Sequence, residues 1–200
     1  MTRLVHLGAT LALCMVPTLG VAKDEVTVKG SETTFKKTLT RTVGKEKAVK
    51  LALTGVALRE KAWFNVYAIA SYAKPDAKVK TASALAKADA PKVLLLVMER
   101  DVDGEDMASA FKDAIRANCA SGFKAELKAV NAYFKPKTCK TKDRIAFVHL
   151  PGVGLRCEIS GVKTPLVIKN LEFGQAMWEV YLGKQNVGAE IKQGLTKLLK

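Results

Sequence analysis

Residues 47–73 read KAVKLALTGVALREKAWFNVYAIASYA, and this stretch decides the fold class. Apolar and polar residues alternate over 47–58, while residues 62–73 are rich in aromatic and β-branched types, so each half predicts a strand. The charged triplet Arg59-Glu60-Lys61 interrupts the pattern between the two halves. The stretch therefore predicts a β-hairpin with a short charged turn.

The chain beyond this hairpin predicts both strands and helices. Residues 92–99 form a nearly continuous apolar run, KVLLLVME, which is typical of a central strand covered on both faces. Asp103 suits a helix N-cap, and that helix is expected to end near Asn118. Further helices are predicted at about 81–88, 123–133, 171–182 and 187–199, further strands at 144–150, 153–160 and 164–169, and an edge strand or loop at 24–40. This order favours an α+β fold in which helices pack on a mostly antiparallel sheet.

The first 22 residues have the layout of a secretory signal peptide. Arg3 precedes an apolar stretch over 7–16, and the segment ends in the small residues Gly20-Val21-Ala22. We expect cleavage near Ala22, a periplasmic or secreted protein, and a single domain over residues 23–200. The rest of the sequence contains no apolar run long enough to predict a membrane span.

The charge of the chain is strongly positive, at +14, and loss of Arg3 with the leader would leave +13. Such a charge suits nucleic acid or an anionic membrane surface. The lysines are scattered, however, apart from a loose cluster over residues 135–142, and aromatic residues make up only 6% of the chain. This distribution favours a solvated basic surface and no nucleic-acid partner, with weak contact to an anionic membrane left open.

Several classes of chemistry lack their residues. His149 is the sole histidine beyond the leader, which excludes multi-histidine metal sites, and a structural role for it is favoured over that of a general base. No metal site is predicted, and the sequence has no nucleophile elbow, Walker loop or dinucleotide-binding motif. Three cysteines remain, Cys119, Cys139 and Cys157, so that at most one internal disulfide can form. Cys119–Cys139 is the first choice, and three small buried residues without a bond are the alternative.

Arg59 is the best candidate for a ligand-binding residue. It follows the apolar strand end 55–58 and precedes aromatic residues that include Tyr67. An arginine beside an apolar sheet face can hold a carboxylate through a bidentate bond, and a tyrosine hydroxyl can add a further donor. A solvated turn arginine is the alternative.

The sequence also resembles a known family, the chalcone-isomerase-like domain, and most closely its bacterial exported members. The resemblance spans roughly residues 45–199 and is carried by five segments at residues 55–59, 64–72, 98–106, 151–155 and 173–183. It implies an open-faced β-sandwich, with a ligand cleft between a large sheet and a helical layer. Plant members close a chalcone to a flavanone without a cofactor, whereas related plastid proteins bind fatty acids.

The resemblance assigns roles to individual residues. Arg59 matches the arginine that holds the phenolate in the isomerases and the carboxylate in the fatty-acid binders. Tyr67 falls where the isomerases have a catalytic threonine, whereas in the fatty-acid binders a tyrosine assists the arginine. Met107, Ala110 and Ala114 stand where the isomerases carry polar side chains, so they imply an apolar wall. We therefore expect a non-catalytic binder of an apolar carboxylate, contacted by Arg59, Tyr67 and Met107, with no cofactor. A cofactor-independent isomerase of intramolecular-lyase type with Arg59 and Tyr67 as catalytic residues, and an envelope or protein interaction module, are the alternatives.

Overall fold

The computed structural model describes residues 24–43, 48–77, 79–119 and 122–199. The predicted signal peptide lies outside these ranges. Within them the strands are β1 (Glu25–Thr27), β2 (Thr34–Lys36), β3 (Thr38–Arg41), β4 (Val49–Lys61), β5 (Phe64–Ala73), β6 (Lys92–Met98), β7 (Val102–Asp103), β8 (Thr138–Cys139), β9 (Arg144–Leu150), β10 (Gly154–Ile159) and β11 (Leu166–Ile168). The helices are α1 (Ala82–Lys87), α2 (Gly104–Asn118), α3 (Lys124–Phe134), α4 (Leu171–Leu182) and α5 (Ala189–Thr196).

A curled seven-stranded sheet organises the chain, in the order β11-β10-β9-β6-β5-β4-β3. Every neighbouring pair in it is antiparallel. All seven residues of β6 are buried, which confirms the prediction of a central strand covered on both faces. The predicted α+β class is also confirmed.

The sheet is covered by different elements on its two faces. The inner face packs against the helices, in a core that includes Ile69, Leu94 and Trp178. The outer face forms a second core that includes Phe35 and Leu51, and the β1–β2 hairpin contributes Phe35 to it. The segment predicted as an edge strand or loop over 24–40 therefore forms three short strands, and its first two cover the sheet.

The β4–β5 hairpin differs from the prediction at its turn. Strand β4 continues through the charged triplet to Lys61, and the turn consists of Ala62 and Trp63. Charged side chains are compatible with a strand that extends beyond the covered part of a sheet, because there they remain in water. The interruption of the apolar pattern thus marks the point beyond which β4 is no longer packed against other elements, although the strand itself continues.

Helix α5 docks on β4 through two glycines. A Cβ atom at Gly55 would lie 2.0 Å from the carbonyl oxygen of Gly194, so both positions exclude a side chain. The hydroxyl of Thr54 donates to the carbonyl of Leu195 at 2.9 Å beside this contact. The contact fixes the helix against the inner face of the strand.

The cysteines do not form the bridge that was our first choice. Cys119, Cys139 and Cys157 are all free thiols. Cys119 caps the C-terminal end of α2, whereas Cys139 pairs with Val102 just before the N-terminal end of that helix. A helix of 15 residues is about 22 Å long, whereas disulfide-linked Cα atoms lie about 4–7 Å apart. The prediction is therefore wrong, because the two thiols lie at opposite ends of α2.

Within the described ranges, no helix is both long enough and apolar enough to span a lipid bilayer.

Candidate functional site

Arg59 and Tyr67 lie directly opposite each other in the β4–β5 ladder. Directly opposed residues of an antiparallel pair project from the same face of the sheet. Tyr67 belongs to the inner core, so Arg59 shares the face that the helices cover. Tyr67 is 7% exposed and Arg59 is half-buried, which places the arginine at the rim and the tyrosine within.

A second tyrosine completes this arrangement from the helical layer. The hydroxyl of Tyr181, on α4, lies 3.2 Å from the hydroxyl of Tyr67. Tyr181 is fully buried, so neither phenol faces bulk water. Two phenols carry two protons and share one hydrogen bond, so one O–H remains that can donate to a third group.

The charge of Arg59 acts on both phenols. Burial raises the pKa of Tyr67, while the hydrogen bond with Tyr181 and the positive charge of Arg59 lower it. Burial also raises the pKa of Tyr181 well above its usual value, with the charge of Arg59 again opposing the shift. Both phenols therefore stay protonated near neutral pH and serve as hydrogen-bond donors.

The guanidinium of Arg59 is tied to its own strand by one bond. Its Nη1 donates to the carbonyl oxygen of Glu60 at 2.7 Å. A guanidinium has five N–H groups in a fixed fork, so one such bond orients the head and leaves further N–H groups for a ligand.

The predicted apolar wall on α2 is only partly present. Met107 is 4% exposed and belongs to the inner core, near the start of the helix. Ala114 is half-buried and packs against this core, but Ala110 is exposed. The stripe of α2 that faces the sheet runs through Met107, Phe111 and Ile115, and Ala110 lies beside this stripe. The expectation that Ala110 lines a cleft is therefore wrong.

A surface hollow of about 480 Å³ lies elsewhere, on the outer face of the sheet. Leu95 and Ala146, which belong to the outer core, line it together with Arg41, Arg144 and Glu158. Arg41 forms an ion pair with Glu158 at 2.6 Å, so part of the positive charge that lines the hollow is already neutralised. This hollow is separated by the sheet from Tyr67 and Tyr181.

A buried polar cluster lies at the N-terminal end of β6, whereas Tyr67 pairs with Met98 at the C-terminal end of that strand. The amine of Lys92 is fully buried and donates to the carbonyl oxygens of Leu85 and Ala86, at 2.8 and 2.7 Å. It also lies 4.8 Å from the centre of the Trp178 ring. Burial lowers the pKa of Lys92 to about 7, against the opposing charges of Asp89 and Glu179.

His149 belongs to the same cluster and has a structural position, which agrees with the role favoured for it. It is fully buried, and its Nε2 lies 2.9 Å from a carboxylate oxygen of Asp89. Asp89 also accepts from the amide of Gly152, in the turn that follows β9. The cluster therefore ties the end of α1 to the β9–β10 turn. Among the residues that the structure describes, no group of three or more His, Cys, Asp or Glu side chains could hold a metal ion.

Sequence reasoning missed Tyr181 and Lys92. Tyr181 lies within a predicted apolar helix, and nothing in its neighbourhood indicates that its hydroxyl meets that of Tyr67. Lys92 gives a clearer signal, since a lysine that opens an apolar run covered on both faces must either reach solvent or find partners inside.

Comparisons with known proteins agree with this fold. The family described as chalcone isomerase-like matches residues 28–196. The crystal structure of a fatty-acid binding protein of Arabidopsis thaliana is similar, with a TM-score of 0.67 at 17% identity, and covers 86% of this chain and 95% of the plant chain. No curated protein sequence matches the chain. Because the family match covers most of the sequence, the chain belongs to the chalcone isomerase-like family.

Proposed function

We propose that this is an exported, non-catalytic protein that binds a fatty acid or a similar apolar carboxylate, anchored by Arg59 and Tyr67. The observation that carries the proposal is the placement of Arg59 opposite Tyr67, on the helix-covered face and at the edge of the inner hydrophobic core. The similar plant structure is that of a fatty-acid binding protein, which supports the same class of ligand.

The residues at the rim suit a carboxylate. Removing a carboxylate from water is costly unless a cation and hydrogen-bond donors replace its hydration. The fork of Arg59 offers a bidentate cation, and the Tyr67–Tyr181 pair offers the remaining O–H donor. The acyl chain would then pass into the apolar interior beside Met107, which is part of the inner core.

The same residues suit isomerisation less well. Cyclisation of a chalcone needs donors aimed at more than one oxygen as charge moves between them. Met107 and Ala114 donate no hydrogen bond, and both phenols have raised pKa values, so neither serves as a base near neutral pH. The isomerase alternative predicts flavanone formation from at least one chalcone of a panel, and we expect none.

Ligand uptake tests the proposal directly. The purified protein, stripped of lipid, is titrated with dodecanoate and with palmitate, and native mass spectrometry records the bound acid. Arg59→Ala is expected to weaken binding at least tenfold, whereas Arg116→Ala, which removes an exposed arginine from α2, leaves it unchanged. Equal binding by wild type and Arg59→Ala would contradict the proposal. A wild-type protein that takes up neither acid would instead favour the interaction module.

Export is tested separately. The mature protein recovered from the producing cell is expected to begin at residue 23, and its intact mass decides this. A mass that includes residues 1–22 would contradict the export proposal without affecting the ligand proposal.

A further inference from the structure

The turn between β4 and β5 has an unusual composition for its backbone. Ala62 and Trp63 have φ angles of +46° and +74°, so both occupy the left-handed region. Two-residue hairpin turns of this kind normally use asparagine, aspartate or glycine, because a Cβ atom is strained there. The backbone of Trp63 therefore adopts a conformation that tryptophan disfavours, and such strain points to a function.

The aromatic side chains at this turn contribute little to folding. Trp63 is 99% exposed and Phe64 is 60% exposed. Among the described residues, these two are the most exposed of the large hydrophobic side chains, and the others in that group are aliphatic. Because Trp63 buries almost no surface in the folded protein, its apolar area is available to a partner.

Basic residues lie close to the two aromatic side chains, in sequence or in space. Arg59 and Lys61 precede them on β4, and the guanidinium of Arg100 lies 5.0 Å from the centre of the Phe64 ring. Asn65 donates to the carbonyl of Gly30, which brings the β1–β2 loop alongside. We call residues 61–64 the hairpin tip.

The acidic residues nearby offset only part of this charge. Glu99 accepts hydrogen bonds from the hydroxyls of Ser31 and Thr33, so its carboxylate is held at the β1–β2 loop. Glu60 is the acidic neighbour within β4. Arg59, Lys61 and Arg100 thus stand against Glu60 and Glu99, and the surface around the tip combines exposed aromatic rings with a small excess of positive charge.

We propose that the hairpin tip docks the protein on an anionic lipid surface. Tryptophan and phenylalanine enter the boundary between headgroups and acyl chains, and lysine and arginine beside them contact anionic headgroups. The two signals reinforce each other, since neither a small apolar insertion nor a few surface cations holds a protein to a bilayer firmly. The net positive charge, +14 for the whole chain and +13 without the leader, adds attraction over a longer range.

A protein partner fits the tip less well than a bilayer. An aromatic side chain offers roughly 150–250 Å² for burial, whereas a stable protein interface takes about 800 Å² from each partner. Two side chains on a protruding turn do not reach that area. A fluid lipid interface needs no complementary surface, so a narrow tip is sufficient for it.

Docking goes beyond ligand binding and does not require it. Where both hold, they are connected by position, because Arg59 lies four residues before Trp63 on the same hairpin. A protein bound by its tip would hold the proposed carboxylate anchor next to the membrane, which is where fatty acids reside. Only this last connection rests on the proposed function.

Vesicle binding tests the docking proposal. The purified protein is mixed with vesicles of phosphatidylcholine alone, and with vesicles of phosphatidylcholine and phosphatidylglycerol in equal parts, both free of fatty acid. We expect co-sedimentation with the anionic vesicles only, with loss of binding in high salt because exposed charges are then screened. The emission of Trp63 should shift to shorter wavelength on binding, while the fully buried Trp178 contributes a constant background.

Matched variants locate the contact. Trp63→Ser is expected to bind anionic vesicles at least tenfold more weakly, and Val167→Ser, which alters an exposed aliphatic residue on β11, to bind like wild type. Trp63→Ser should keep the wild-type melting temperature and its uptake of fatty acid. Undiminished vesicle binding by Trp63→Ser, equal binding to neutral vesicles, or self-association through the tip would each overturn the proposal. Loss of vesicle binding together with retained acid uptake separates the two proposals.

Discussion

Lys92 and His149 lie directly opposite each other in β6 and β9, and both side chains are fully buried. Two basic groups side by side in an interior are costly when charged, because burial and mutual repulsion both oppose protonation. Burial lowers the pKa of His149, and the charge of Lys92 lowers it further, although Asp89 opposes the shift. The pair therefore makes the stability of the fold depend on pH.

The contribution of Lys92 to the free energy of unfolding should rise with pH between about 7 and 10.5. The pKa of Lys92 falls from 10.5 to about 7 in the folded protein, so across this window the unfolded chain binds a proton that the folded protein lacks. Lys92→Met should remove this contribution, whose slope is at most about 1.4 kcal/mol for each pH unit. Urea unfolding at a series of pH values measures it, with the exposed Lys87→Met as the control for loss of one charge. Parallel pH profiles of wild type and Lys92→Met would contradict the prediction.

The paired phenols should show coupling. Tyr181→Phe removes the hydroxyl that Tyr67 contacts and is expected to destabilise the protein by about 1 kcal/mol, as is Tyr67→Phe. The double variant should cost less than the two single variants together, because the second change removes a group that has already lost its partner. Thermal unfolding of all four proteins closes the cycle. Strict additivity would show that the hydroxyls do not interact.

The contact between α5 and β4 should not tolerate a side chain in place of either glycine. Gly194→Ala places a Cβ atom 2.6 Å from the carbonyl oxygen of Val56, and backbone there cannot yield easily. We expect a loss of about 2–3 kcal/mol in the free energy of unfolding. Gly122→Ala is the control, because its Cβ atom would meet nothing closer than the flexible Lys124 side chain at 4.0 Å. A neutral Gly194→Ala would mean that α5 packs less tightly than described.

The cysteines should differ in reactivity. Cys119 is partly exposed, whereas Cys139 and Cys157 are buried, and burial raises the pKa of Cys139 to about 11. A thiol reagent added to the native protein should label Cys119 first, and the others only on unfolding, since the thiolate is the reactive form. Cys119→Ser should abolish the native labelling. Persistent native labelling of Cys119→Ser, or an intact mass lowered by a disulfide, would refute this assignment.

The fold could be predicted from the sequence wherever the hydrophobic pattern of a segment reflects which of its faces are buried. Residues 93–98 are apolar because both faces of β6 are buried. Each residue of the strand therefore carries the signal in its own side chain. The β4–β5 turn could not be placed, because charged residues occur both in turns and at the exposed end of a strand. The register that sets Arg59 against Tyr67 depends on irregularities of pairing near Leu53 and Arg59, which no local pattern reveals.

The candidate site was accessible from the sequence only in part. Arg59 and Tyr67 lie on neighbouring strands of one hairpin, so local reasoning brings them together. Tyr181 reaches them from α4, more than a hundred residues later, through the packing of a helix on the sheet. The failed Cys119–Cys139 pairing has the same origin, since separation along the chain says little about which end of a helix each residue occupies.

The glycine contact between β4 and α5 also bears on how the chain reaches its native state. Gly55 and Gly194 are far apart in sequence, so the contact that covers this part of β4 joins two distant segments of the chain. Closing so large a loop early is entropically unfavourable, and folds that rely on such distant contacts form slowly. The longest strand of the sheet thus takes part of its cover from a distant helix, so any change that weakens this contact would leave apolar strand surface open to aggregation.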